Sequence, residues 1–182
     1  MSETKLASGV IGLTTFRHKL VLSSLHQEDV GKSERVIEDQ SGQPVHEDLV
    51  ALATSMLGLW SGKIDAQDGR EQKIAIPSAF GREFTEETRT ESLPGIVLHP
   101  DQLQGQPMYA GRIEQIRPPV GRVLFWAHAL PMIEFTWEQM NELSKRQRPG
   151  QELWELAIDQ AATQLQAHWQ RIRPVSRLAI QA

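Results

Sequence analysis

The chain has 182 residues, 40% of them apolar and 23% charged, with a net charge of −4. That is the make-up of a soluble globular protein with enough chain for one domain and a substantial core. With no cysteine, disulfides, thiolate zinc sites and thiol nucleophiles are excluded.

No apolar run approaches the roughly 20 residues that a membrane-spanning helix needs, and the first residues lack the basic-then-apolar order of a secretory signal. The expectation is therefore a cytoplasmic protein without a membrane partner. Charge is uneven: residues 1–111 hold ten basic against sixteen acidic side chains, while residues 112–182 hold nine against seven. The acidic front and mildly basic back are read first as ordinary solvated surfaces.

Residues 1–8 read as a loose terminus. Short runs of apolar and β-branched residues at Val10–Phe16 and Lys19–Leu25 predict two strands or one interrupted strand, and Arg35–Glu38 a further short one. Pro44 suits the start of a helix, with Glu47 and Asp48 in its first turn. Leu49, Leu52, Ala53, Met56 and Trp60 then recur at helical spacing, which predicts a helix ended by Gly62. Lys73–Pro77 reads as a short strand stopped by its proline, followed by one or two helical turns over Ser78–Phe84. Residues 85–108 contain Pro94, Pro100 and Pro107 and form the least regular segment; only Gly95–Leu98 resembles a strand. Long connections of this kind often carry function.

The centre of the pattern is Gly121–Pro131. Val123, Phe125, Ala127 and Ala129 would line one face of a strand, and Leu124, Trp126, His128 and Leu130 the other. A strand apolar on both faces is expected to be central in its sheet. Gly111–Arg117, more polar, would be the wet outer arm of a hairpin turned at Pro118–Gly121. Met132–Phe135 would extend the sheet. Thr136 and Gln139 form a capping box for a short helix burying Trp137, Met140 and Leu143. Glu152 to Ile172 predicts a second long helix, with Trp154, Ala157, Ile158, Ala161, Leu165 and Trp169 on one face. Pro174 ends it, and Ser176–Gln181 would add a last strand.

The fold class expected is α+β: a mostly antiparallel sheet with two main helices packed on one face, in a single domain over 1–182. No nucleotide-binding, hydrolase or metalloprotease motif is present, and these residues carry no family signature. No cofactor and no metal site is expected, since His46, Glu47 and Asp48 would point apart on a helix. The favoured function is a non-enzymatic accessory or assembly subunit with a protein partner or a second copy of itself, supported by five tryptophans. Leu153 and Leu156, beyond the narrow stripe of the long helix, are the candidate partner-binding residues. The alternative is nucleic-acid contact through Lys145, Arg146, Arg148, Arg171, Arg173 and Arg177, which flank that helix. A third reading, an enzyme, rests on His128 in the apolar strand meeting His99 from the irregular segment.

Overall fold

A computed structural model describes residues 3–24, 29–119, 121–157 and 161–182. Nine strands join one curled sheet, a half-barrel. They are β1 (Lys5–Phe16), β2 (Lys19–Ser24), β3 (Ser33–Glu38), β4 (Val50–Ala51), β5 (Leu57–Gly58), β6 (Ser61–Lys63), β7 (Met108–Arg117), β8 (Gly121–Glu134) and β9 (Leu153–Ala157). The main path runs β4-β3-β7-β8-β1-β2-β5, with β6 paired to β1 and β9 to β2. Among the described residues four α-helices accompany it: α1 (Gln72–Glu87), α2 (Trp137–Lys145), α3 (Ala161–His168) and α4 (Pro174–Gln181). The α+β class stands, with two corrections. The sheet is mixed, because β1 and β8 run parallel, and the helices exceed two.

The β7–β8 hairpin forms with Arg117 opposite Gly121. Its second arm is central, between β7 and β1; the face of Val123, Phe125, Ala127 and Ala129 is used as expected, whereas on the other face only Leu130 joins an apolar cluster and Leu124 and Trp126 are half-buried outside both. Val123, Phe125, Ala127 and Ala129 pack toward α4, in a cluster with Ile11, Leu22, Ile113 and Leu178. Leu130, Ile133 and Phe135 pack on the other side against Ile76, Phe80 and Phe84 of α1 and Met140 and Leu143 of α2. Helices thus cover both faces, not one. The first arm is not a wet edge either: β7 lies between β3 and β8, and Ile113, Glu114 and Gln115 are buried. Its polar residues are paired rather than solvated, an outcome composition alone does not reveal.

The β1–β2 hairpin turns on Arg17 and His18, both at positive φ (49° and 63°), the backbone twist that two-residue hairpins favour. The capping box also forms: Gln139 N–H donates to Thr136 Oγ1 (3.2 Å) and Thr136 N–H to Gln139 Oε1 (2.9 Å). Met140 and Leu143 are buried behind it, whereas Trp137 lies outside, 60% exposed.

Of the two long helices read from periodicity, the first is absent and the second is cut to its C-terminal part. Between Pro44 and Trp60 the chain makes only β4 and β5. Leu57, Gly58, Leu59 and Trp60 are all buried; four successive buried residues suit an extended chain with cover on both sides, not one stripe of a helix. Leu153–Ala157 is a strand instead, in register with β2 from Lys19↔Ala157 to Ser23↔Leu153. The edge of β2 offers a backbone ladder that outweighs weak helical preference. The helical part is α3 and the 3-10 turn Trp169–Arg171 that follows it; Ile158 lies outside the described residues.

Two strand readings fail the other way. Lys73–Pro77 is the start of α1, with Pro77 inside the helix, Ile76 buried and Ile74 59% exposed. Ser176–Gln181 belongs to α4, which starts at Pro174, a residue pre-set for a first helical turn. Beyond α1 the segment to Met108 is irregular but tied down. Ile96 N–H donates to Thr88 Oγ1 (2.8 Å), Thr85 Oγ1 donates to the Ile96 carbonyl (3.1 Å), and Ile96 and Leu98 are buried. Gly95 sits so close to α1 that a Cβ there would fall 1.8 Å from the Thr85 carbonyl oxygen.

Candidate ligand-binding cleft

On the concave face, beside the N-terminus of α4, lies a half-open cleft of about 490 Å³. That size suits a small ligand or a few residues of peptide. Its floor is apolar: Ile11 of β1, Ile113 of β7, Phe125 and Ala127 of β8 and Val175 of α4. One side, from β7, α4 and the approach to β3, contributes Gln115, Arg117, Arg173, Asp29 and Lys32. The other, from β6 and the end of α1, contributes Ser61, Lys63, Glu83, Glu86 and Glu87, with Arg89 just beyond α1, and Arg148 reaches the cleft from beyond α2. An apolar floor between walls of opposite charge can hold a ligand that carries charge of both signs.

The basic wall is built in layers. Glu34 on β3 stands opposite Gln115 on β7, and its side chain is fully buried. Arg173 donates to Glu34 Oε1 from Nε (2.9 Å) and Nη2 (2.6 Å), and Gln115 Nε2 donates to the same oxygen (2.7 Å). Arg173 also approaches Asp29 at 3.6 Å, and Asp29 pairs with Lys32 at 2.7 Å. Burial works against the charge on Arg173, but Glu34 and Asp29 more than offset it and hold its pKa above the usual arginine value. Gln115, fixed by Glu34, accepts from Arg117 Nε. The Arg117 guanidinium lies over the Phe125 ring, 5.5 Å from its centroid. Burial pulls the Arg117 pKa down, nearby Arg173 adds to the effect, and Asp29 opposes it.

The acidic wall is set by close packing. A Cβ at Gly62 would fall 2.0 Å from Glu83 Cγ, so only glycine lets α1 lie this near β6. Burial pushes the Glu83 carboxyl up, against a 2.7 Å hydrogen bond from Arg82 Nη1. Arg82 also grips Asp68 through both carboxylate oxygens, at 3.0 Å each. This holds the Asp68 carboxyl below the usual carboxylate range.

A larger groove of about 1020 Å³ runs between α1 and residues 97–107, lined by side chains such as Ile74, Pro77 and Val97. It lacks a comparable convergence of fixed charges, so the concave cleft is the stronger candidate.

The residues expected to act do not converge there. Leu153 and Leu156 lie on opposite faces of β9: Leu153 packs with the α1-side cluster, while Leu156 is 5% exposed in the α4-side core. The premise of one exposed helical face fails because a strand sends alternate side chains to opposite sides. The basic residues are likewise dispersed and mostly used within the fold. Lys145 pairs with Glu142 (3.5 Å), and Arg146 donates to the carbonyls of Thr88 and Pro94. Arg171 reaches Ser55 O and Glu152 and lies 4.7 Å from the Trp154 ring centroid. Arg177 reaches Glu47 at 3.9 Å. Only Arg148 and Arg173 of the six line the cleft.

His128 is 9% exposed in β8, with Nδ1 unpartnered. Burial lowers its pKa, partly opposed by a hydrogen bond with the Gly9 main chain. His99 starts the single helical turn Pro100–Leu103 and is exposed; no hydrogen bond or ring contact joins the two histidines among the described residues. The ring beside His128 is Tyr109, 5.9 Å away.

Glu34, Gln115 and Arg117 were missed from sequence. One signal was available: in Arg112–Arg117 a period of two places Ile113, Gln115 and Arg117 on one face, the face of Phe125. Among known proteins, no family model matches the chain and no curated protein matches it in sequence. Among the described residues no helix is long and apolar enough to cross a membrane.

Proposed function

We propose that the chain is a non-enzymatic accessory subunit that receives a segment of a partner protein in the concave cleft. The observation that supports this reading is the cleft itself, where oppositely charged walls flank an apolar floor. Fixed charges flanking apolar surface favour recognition of a complementary partner and penalise others. The half-open shape admits an extended chain.

A photo-crosslinking residue at Ser61, inside the cleft, and another at Glu138, outside it, test the proposal in the native host. The expected result is a discrete protein adduct from position 61 that is missing from position 138. A second copy of this chain as the captured species would make the cleft a self-association site. Equal labelling from both positions, or none from position 61, would overturn the reading.

A further inference from the structure

Resting on that reading, we infer that Arg117 is the anchor for a carboxylate of the bound segment, held in place for that purpose by Gln115 and Glu34. The argument begins with how charge is matched on the basic wall. Arg173 is taken up by Glu34 at 2.6 Å, and Lys32 by Asp29 at 2.7 Å. Arg117 is half-buried, yet makes no ion pair with any described residue; its Nε is committed to Gln115 and its flat face to Phe125. The two terminal nitrogens remain, and they are the pair with which a guanidinium receives a carboxylate side-on.

Position is also fixed from behind. A lone arginine on a surface has about 2 kcal/mol of rotamer entropy to lose on binding. Here Gln115 aligns Nε and is itself bonded to the buried Glu34, so part of that loss is already incurred on folding. Such preorganisation is what a binding residue needs and what a solvated surface arginine lacks.

The surroundings select the ligand. Lys32, Lys63, Arg89, Arg148 and Arg173 line the same cleft as Arg117, facing the carboxylates of Asp29, Glu83, Glu86 and Glu87. Arg117 offers a flat pair of donors that the two oxygens of a carboxylate match, and phosphate, which can use the same pair, is the competing anion. The acidic wall then suits a basic side chain on the same ligand. The segment is therefore one that presents a carboxylate to Arg117.

Two measurements on the full chain test this. In the first, the backbone amide signals of Gln115 and Phe125, the neighbours of Arg117 that are present in the native chain and in both variants, are followed by NMR during titration with acetate and, separately, phosphate. A saturable shift with acetate is expected, lost in Arg117→Gln and weakened in Arg117→Lys, whose point charge cannot bind side-on. No saturable shift, or phosphate binding tenfold more tightly than acetate, would overturn the inference. In the second, the position-61 crosslink is repeated in both variants after thermal melts confirm folding, with at least a fivefold lower yield expected in Arg117→Gln. An unchanged yield would remove Arg117 as the anchor and leave the partner reading intact. No adduct even with Arg117 present would end the partner reading, and the acetate titration would still decide the anion site.

Discussion

The two faces of the sheet are built on opposite terms. Under α1 and α2 the packing is aromatic: Trp60 meets Phe84 and Phe135 edge-on at 5.3 and 5.8 Å, and Phe80 stacks on Phe84 at 6.0 Å. Under α4 an apolar core gives way, at one end, to the buried chain Arg173–Glu34–Gln115–Arg117. A buried ion pair is generally no more stabilising than apolar side chains of similar volume. The aromatic face therefore accounts for itself through stability, whereas the charged end of the concave face is better explained by what it presents to the cleft.

The largest effect belongs on the aromatic side. Phe80 is fully buried and seated on Gly12, where a Cβ would fall 2.1 Å from its ring. Phe80→Ala should cost about 4 kcal/mol, the usual range for emptying such a site, read by urea unfolding. A cost below about 1 kcal/mol would show that this face is not the main support of the fold.

The concave side should answer differently to single and double changes. Arg173→Met leaves Glu34 buried without its cation and should cost about 3 kcal/mol. Adding Glu34→Leu should recover part of the loss, because the unpaired buried carboxylate is gone, while Gln115 Nε2 loses its acceptor. A double-mutant cycle by chemical denaturation checks this; a double variant as unstable as the single one would make the network a stabilising device after all.

How far the sequence foretold these faces depends on the range of the interactions. β8 was legible because its alternation is local, and so was the Thr136–Gln139 cap, whose partners are three residues apart. The segments 44–60 and 152–172 were misread because apolar spacing in each is compatible with a helix, while the deciding contacts are distant. β9 exists through pairing with β2, some 130 residues earlier. The cleft was illegible for the same reason: Glu34 and Arg173 are 139 positions apart. The spacing of Ile113, Gln115 and Arg117 offered a shared face, but nothing local said which helix end would meet it.

The acidic wall supplies a pH-dependent test of intermediate size. Arg82 and the Asp65 amide hold Asp68 below its ordinary pKa. Its contribution is thus present above the usual carboxylate range and lost as pH falls through the lower, folded-state value. Asp68→Asn should cost about 2 kcal/mol at neutral pH, typical of hydrogen bonds to a charged partner. Melts recorded from pH 7 to 3 should fall less steeply for the variant than for the native chain. Parallel curves would mean that Asp68 carries no linked stability.

The smallest effect should come from Arg117, and its smallness is the informative part. Burial disfavours its charge, no described carboxylate pairs with it, and what it gains is the bond to Gln115 and contact with Phe125. Arg117→Met keeps the apolar contact, removes the buried charge and frees Gln115 Oε1 toward a cleft that water can enter. These contributions oppose one another, so the unfolding free energy should change by less than about 1 kcal/mol, within the range of substitutions that break no structural network. Urea unfolding beside Arg173→Met supplies the contrast: two arginines on one wall, one needed by the fold and the other not. A loss from Arg117→Met as large as that from Arg173→Met would place both in a single structural network, and the distinction between supporting and ligand-facing charge on the concave face would disappear.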